Sequence, residues 1–318
     1  MGTALSLVAV AIGVGGIVWG AESFAKHLGS ASARLGVSTF ALALLLAGAE
    51  PEELVTGVVA SLRKVPALAL GDVVGANVAM CFVALGVGAL VAPLPFGPRV
   101  RRYAWLGLPP AVVAVSLAWD GRVGRLAGAL LVALYVAYVA VIWVVERKPP
   151  ALGETGEVEE ARSGSLPVRA RVGRELALVL VGVAAMAAGA SILVEAVRRL
   201  THVESTQTDL SLTLVGFVTA FELVALAWSA SRRGASEAVV AAVVGSFAYN
   251  VTMTMGVAAL VRPLVLVDEG LLHGPFVVML GALLLVLALG TWGGRLDRAR
   301  GLVLLAAYPA FVAFVVLR

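Results

Sequence analysis

Apolar residues run through this chain in long unbroken stretches separated by short polar ones. Ten stretches are long enough to cross a bilayer: roughly 3–21, 36–62, 67–93, 103–119, 126–145, 174–195, 209–231, 237–261, 274–291 and 301–317. A spanning helix needs about 20 mostly apolar residues. The runs are continuous and not alternating, so helices are expected and not the strands of a barrel. Pro51 interrupts the second run. The first has no basic lead-in and is followed directly by further spans, so it reads as a span and not as a leader.

The second half of the chain repeats the first at an offset of 169 to 170. Gly20-Ala21 corresponds to Gly189-Ala190, Glu53-Leu54-Val55 to Glu222-Leu223-Val224, and Arg63-Lys64 to Arg232-Arg233. Val73-Val74-Gly75 matches Val243-Val244-Gly245, and Pro93-Leu94 matches Pro263-Leu264. Each copy holds five spans, an odd number, so the second starts on the opposite side of the membrane. The expected fold is an all-α membrane protein of ten transmembrane helices in two inverted five-helix repeats, 1–145 and 174–318, joined by a linker at 146–173. Such inverted repeats are common in secondary transporters.

Composition agrees. Of 318 residues 60% are apolar and 14% charged, with a mean hydropathy of +0.99, which excludes a disordered chain and an ordinary soluble enzyme. The net charge of +4 does not point to nucleic acid, because the basic residues are spread over short loops. The odd-numbered loops carry sixteen Lys and Arg, the even-numbered loops and C-terminus eight. That bias puts both termini outside and 146–173 in the cytoplasm, with the plasma (inner) membrane as the expected location. One cysteine, Cys81, allows no internal disulfide and reads as a small apolar filler.

The chemistry lies in acids at membrane depth: Glu50, Glu52, Glu53 and Asp72 in the first repeat and Glu222 in the second. A charge there costs at least about 2.5–3.5 kcal/mol unless paired, protonated or hydrated. The second, third, seventh and eighth spans hold no Lys or Arg inside them, so a cation or protons must compensate. On a helix Glu50 and Glu53 share a face and Glu52 turns away by about 100°. Pro51 would free the carbonyl of Ala47 to line a cavity. Glu53, Glu222, Asn77, Thr219 and carbonyls near Pro51 are the oxygen donors that a hard cation such as Ca²⁺ takes. His27, His202 and His273 are expected in loops, so zinc and copper are disfavoured. Asp72 is placed evenly between a solvated rim and a ligand role. Asn250 reads as a helix–helix contact and the basic pairs as interface anchors.

At these residues the chain resembles the cation/calcium exchanger superfamily of sodium–calcium exchanger-like membrane proteins. Each half of that family carries a motif G-T-S-x-P-E-L, followed by G-N-x-x-G-S-N. The first copy here reads Gly48-Ala49-Glu50-Pro51-Glu52-Glu53-Leu54, then Gly71-Asp72-Val73-Val74-Gly75-Ala76-Asn77. The second reads Phe217-Val218-Thr219-Ala220-Phe221-Glu222-Leu223, then Ala241-Ala242-Val243-Val244-Gly245-Ser246-Phe247. The resemblance implies that Glu53 and Glu222 ligate the transported cation, with Asn77 an amide ligand and Thr219 and Ser246 hydroxyls lining sodium sites. Glu50 is a further candidate ligand.

The departures matter. Ala49, Val218 and Ala76 replace hydroxyl residues, and Phe247 replaces an acid or amide. Glu50 and Glu52 stand at a serine and a proline position. Lost hydroxyls argue against sodium, and crowded carboxylates favour protons. The implied function is a secondary antiporter exchanging a divalent cation, Ca²⁺ first, for Na⁺ or H⁺. Its partners would be inorganic cations and membrane lipid, with no prosthetic group. The alternatives are a cation sensor that moves nothing, and an intramembrane acid-catalysed enzyme. The enzyme lacks an H-E-x-x-H, a D-x-x-x-D and a nucleophile–histidine set.

Overall fold

The computed structural model describes residues 3–35, 50–146, 172–232 and 236–318. Eleven helices account for nearly all of them. The first half holds α1 (Thr3–Leu35), α2 (Pro51–Leu62), α3 (Pro66–Val91), α4 (Pro98–Ala118) and α5 (Arg125–Glu146). The second holds α6 (Val172–Leu200), α7 (Glu204 to Thr219), α8 (Phe221–Arg232), α9 (Ser236 to Val261), α10 (Gly270–Gly293) and α11 (Arg298–Leu317). Both α3 and α9 contain a π-helical turn, Met80–Ala84 and Asn250–Thr254, and α7 contains a third at Ser211–Val215.

Among the described residues, eight helical spans are long and apolar enough to cross a membrane, against the ten expected. Of the second expected span only α2 is described, since 36–49 fall outside the described residues. The fourth is the helix α4, whose hydropathy is lowered by Arg99, Arg101 and Arg102 at its start and by Pro109 and Pro110 inside it. The first runs on through Gly29 to Leu35, because no proline between 21 and 35 breaks the helix. His27 is therefore helical and not in a loop, and its Nδ1 lies 2.6 Å from Glu175 on α6. His273 likewise sits in α10, where its Nε2 faces the Trp119 carbonyl at 2.8 Å. The linker lies outside the described residues apart from its ends.

Two helices form the centre. The spanning window of α9 is 94% buried and that of α3 83%, whereas those of α5 and α11 are 33% and 22% buried. The outer helices turn residues such as Leu180, Val144 and Leu317 outward, which for a membrane protein is the lipid face. Trp19, Trp105, Trp119, Trp228 and Trp292 are all exposed, as tryptophans at a membrane–water boundary are.

The two halves touch through reciprocal contacts. On α1 and α6, Gly20 packs on Gly182 while Gly13 packs on Gly189. A methyl group on Gly20 would lie 2.6 Å from the Gly182 carbonyl, and one on Gly13 2.8 Å from that of Gly189. Only glycine permits this approach. Short antiparallel strands repeat the scheme. Leu94–Pro95 (β1) pairs with Arg295–Leu296 (β4), and Arg122–Val123 (β2) pairs with Leu264–Val265 (β3).

Candidate functional site

The N-terminal end of α2 carries three of the expected acids. Glu50 stands just before the helix, with φ −103° and ψ 83°, and Pro51 is the first helical residue. Proline suits that place because its missing N–H would have had no helical acceptor. Glu52 and Glu53 fill the first turn, where the positive end of the helix dipole favours carboxylates. Because Glu50 lies outside the helix, the shared helical face expected for Glu50 and Glu53 does not arise. Glu52 is not turned out to the surface either. All three are buried, at 4%, 1% and 1% exposure. The carbonyl of Ala47 lies outside the described residues.

The second half builds a matching end. The long seventh span is broken at Ala220, between Thr219 at the end of α7 and Phe221 at the start of α8. Glu222 therefore also falls in the first turn of a short helix, half-buried. Glu53 has Asp72, Glu52 and Glu222 within Coulombic range and the Asn250 amide facing it. Both oxygens of Glu53 are buried with no hydrogen-bonding donor in good geometry.

The hydroxyl and amide candidates join this acidic centre. Thr219 Oγ1 donates to Asp72 Oδ1 at 2.9 Å and also lies 3.1 Å from the Val215 carbonyl. Asp72 is 1% exposed, so it is buried and not on a solvated rim. It can approach α7 because Gly75, one turn on, lets α3 meet the Leu212 backbone where a side chain would collide. Ser246 on α9 donates to Glu50 Oε1. Asn77 donates to the Phe247 carbonyl at 3.4 Å and accepts from Asn250 Nδ2 at 3.3 Å. Thr254 Oγ1 in turn donates to Asn250 Oδ1 at 3.3 Å.

Sequence reading gave no role to Thr254, Tyr249 or Thr56. Tyr249 lies in Coulombic range of Glu50, Glu52 and Glu53, and the Thr56 hydroxyl is buried without a hydrogen-bond partner among the described residues. The signal for Thr254 was available. Ser246, Asn250 and Thr254 recur every four residues, a polar stripe on one face of an otherwise apolar helix. The site begins the π turn at Asn250, and such turns gather at functional sites.

Among the described residues no three His, Cys, Asp or Glu side chains come close enough to hold a metal ion by themselves. A cation here would have to draw on amide, hydroxyl and carbonyl oxygens as well as carboxylates, as hard cations do.

Fold and site together define a polytopic helical membrane protein with four buried acids in the first half and the half-buried Glu222 from the second. A family model described as "Sodium/calcium exchanger protein" matches residues 5–144 and 175–317. The chain is 28% identical to the inner membrane protein YrbG of Escherichia coli over 68% of its own length and 67% of that protein's. It is 23% identical to the putative antiporter CaxA of Alkalimonas amylolytica, over 96% and 97%. The solved structure of the sodium-calcium exchanger NCX_Mj soaked with 2.5 mM Na⁺ and 1 mM Sr²⁺ superposes with a TM-score of 0.61 at 18% identity, covering 97% of this chain and 98% of that one. The chain belongs to the sodium/calcium exchanger protein family and is a membrane antiporter with transmembrane helices.

Proposed function

We propose that the chain exchanges a divalent cation, Ca²⁺ first among them, for Na⁺ or H⁺ by alternating access. Glu53 and Glu222 would be the principal ligands, assisted by Asn77, Thr219, Ser246 and Glu50. The supporting observation is that Glu53 is buried among Asp72, Glu52 and Glu222, with no Lys or Arg among its electrostatic neighbours. Carboxylates so grouped repel one another unless a cation or protons neutralise them. Ions that compete for one such centre are exchanged without ever touching, because loading one excludes the other.

The reading includes ten spans in two inverted halves, 1–145 and 174–318, joined by a cytoplasmic segment at 146–173, with both termini outside. The reciprocal contacts support a two-fold relation. Gly13 and Gly182 stand at the repeat offset, as do Gly20 and Gly189, so one contact maps onto the other. That is how surfaces related by a two-fold axis meet. The crossed strand pairs β1–β4 and β2–β3 behave alike.

The test is Ca²⁺ flux in proteoliposomes of the full chain, driven in turn by a sodium and by a proton gradient. Flux is expected under at least one gradient and is abolished by Glu53→Gln and by Glu222→Gln. Flux untouched in both variants overturns the site. Ca²⁺ binding without flux under either gradient makes the protein a sensor.

A further inference from the structure

Away from the buried acids, the C-terminal ends of α2 and α6 and the first turns of α1 enclose a cavity of about 300 Å³. Its wall has two characters. Leu5, Ala9 and Ile192 are its apolar lining, and Leu5 and Ile192 are exposed. Arg63, Arg199 and Glu195 are its charged lining.

Among the described residues the formal charges there do not balance. Arg63 reaches Glu195 at 3.9 Å, Arg199 at 2.8 Å and Arg198, beside the cavity, at 4.0 Å. Three guanidinium groups thus gather on the Glu195 carboxylate, and each is 43–51% exposed. Ion pairs this open add little to stability, so folding alone does not explain the cluster. Lys64 adds a fourth positive charge next to Arg63. It holds a left-handed backbone, φ 61°, where glycine would be relaxed.

Arg199 lies at the last turn of a spanning helix and Arg63 caps the end of α2, the level at which headgroups sit. Guanidinium groups bind phosphate through paired hydrogen bonds, and basic side chains at a membrane surface attract anionic lipids. A soluble phosphate would make no use of the apolar lining. We propose that this cavity binds an anionic phospholipid, its phosphate on Arg63 and Arg199 and an acyl chain along Leu5, Ala9 and Ile192.

The experiment equilibrates the purified full chain with mixed phosphatidylglycerol and phosphatidylcholine vesicles, extracts it in mild detergent, and counts retained lipid by native mass spectrometry. Phosphatidylglycerol should be retained in preference. Arg63→Gln should cut that preference about fivefold, and the double variant with Arg199→Gln on the order of twentyfold. Arg101→Gln, on α4 outside the cavity, should leave it intact, and Glu195→Gln should raise it. The proposal is overturned if the double variant retains phosphatidylglycerol like the parent, or if the parent shows no preference. It is overturned too if soluble glycerol phosphate competes as well as the lipid, which marks a free-anion site. Should the double variant not fold, an unchanged or lower preference in Glu195→Gln overturns it. Retention is measured without ion flux, so the result stands apart from the antiport reading.

Discussion

Thr219, the last residue of α7, donates a 2.9 Å hydrogen bond to Asp72 Oδ1 on α3, joining the two halves of the chain at the buried acids. The other oxygen, Asp72 Oδ2, is buried with no hydrogen-bond partner among the described residues. Thr219→Val removes that donor while keeping the shape. A buried polar group stripped of its bond costs about 1–3 kcal/mol, so a lower melting temperature in detergent is expected. Thr219→Ser should recover most of the loss. Equal melting of the valine variant and the parent would show that the bond contributes nothing.

The close crossing of α1 and α6 predicts a steric threshold. At Gly20 an added methyl meets the Gly182 carbonyl at 2.6 Å, whereas at Gly15 nothing lies within 4 Å. Overpacking costs about 1–3 kcal/mol, so Gly20→Ala should lower stability. Gly15→Ala should be neutral or raise it by up to about 1 kcal/mol, the helix preference of alanine over glycine. Thermal unfolding of the pair in one detergent checks the contrast, and Gly20→Ala melting with the parent would deny the contact.

At the end of α2, Val65 N bonds the Ala60 carbonyl at 2.9 Å and Lys64 N bonds that of Ser61 at 3.1 Å, around the left-handed Lys64. This is the usual glycine-terminated helix end with a lysine in the glycine position. Lys64→Gly should stabilise the protein by about 1 kcal/mol. Melting in neutral detergent free of anionic lipid is the measurement, and a drop in stability would contradict it.

Outside the spans, Asp297 caps α11. Its carboxylate accepts from the Arg300 backbone N–H at 3.1 Å, and that bond first, then the nearby arginine charges, holds its pKa below the ordinary 3.8. The folded value is the lower one, so the charged cap stabilises above the unfolded pKa, and the gain is lost as pH falls through the folded pKa. Asp297→Asn should therefore melt earlier than the parent at pH 7, with the gap narrowing once the pH drops below 3.8. A gap that stays constant across that range would assign the effect to something other than charge.

The membrane class, the repeat pattern and the acids could be read from the sequence because each leaves a one-dimensional trace. Glu53 follows a helix-starting Pro51, and the repeat aligns it with Glu222. Other features depend on which helices meet. Nothing between Thr219 and Phe221 is a proline or glycine, so the break at Ala220 could not be seen in the pattern. The depth of Asp72 follows from the close approach of α3 to α7 at Gly75, a tertiary fact. The helical stagger of Glu50 and Glu53 assumed one continuous helix, and Glu50 sits before its start. His27 looked like a loop residue because a polar stretch follows the apolar run, yet no proline stops the helix there and Glu175 offers a partner across it.

Almost no part of α9 meets the surroundings, whereas α5 and α11 keep most of their windows uncovered. A substitution on α9 must therefore fit neighbours on all sides, while one on α5 or α11 need only remain oily. Random mutagenesis should thus find most replacements on α9 harmful, and any apolar residue interchangeable over much of the outer pair.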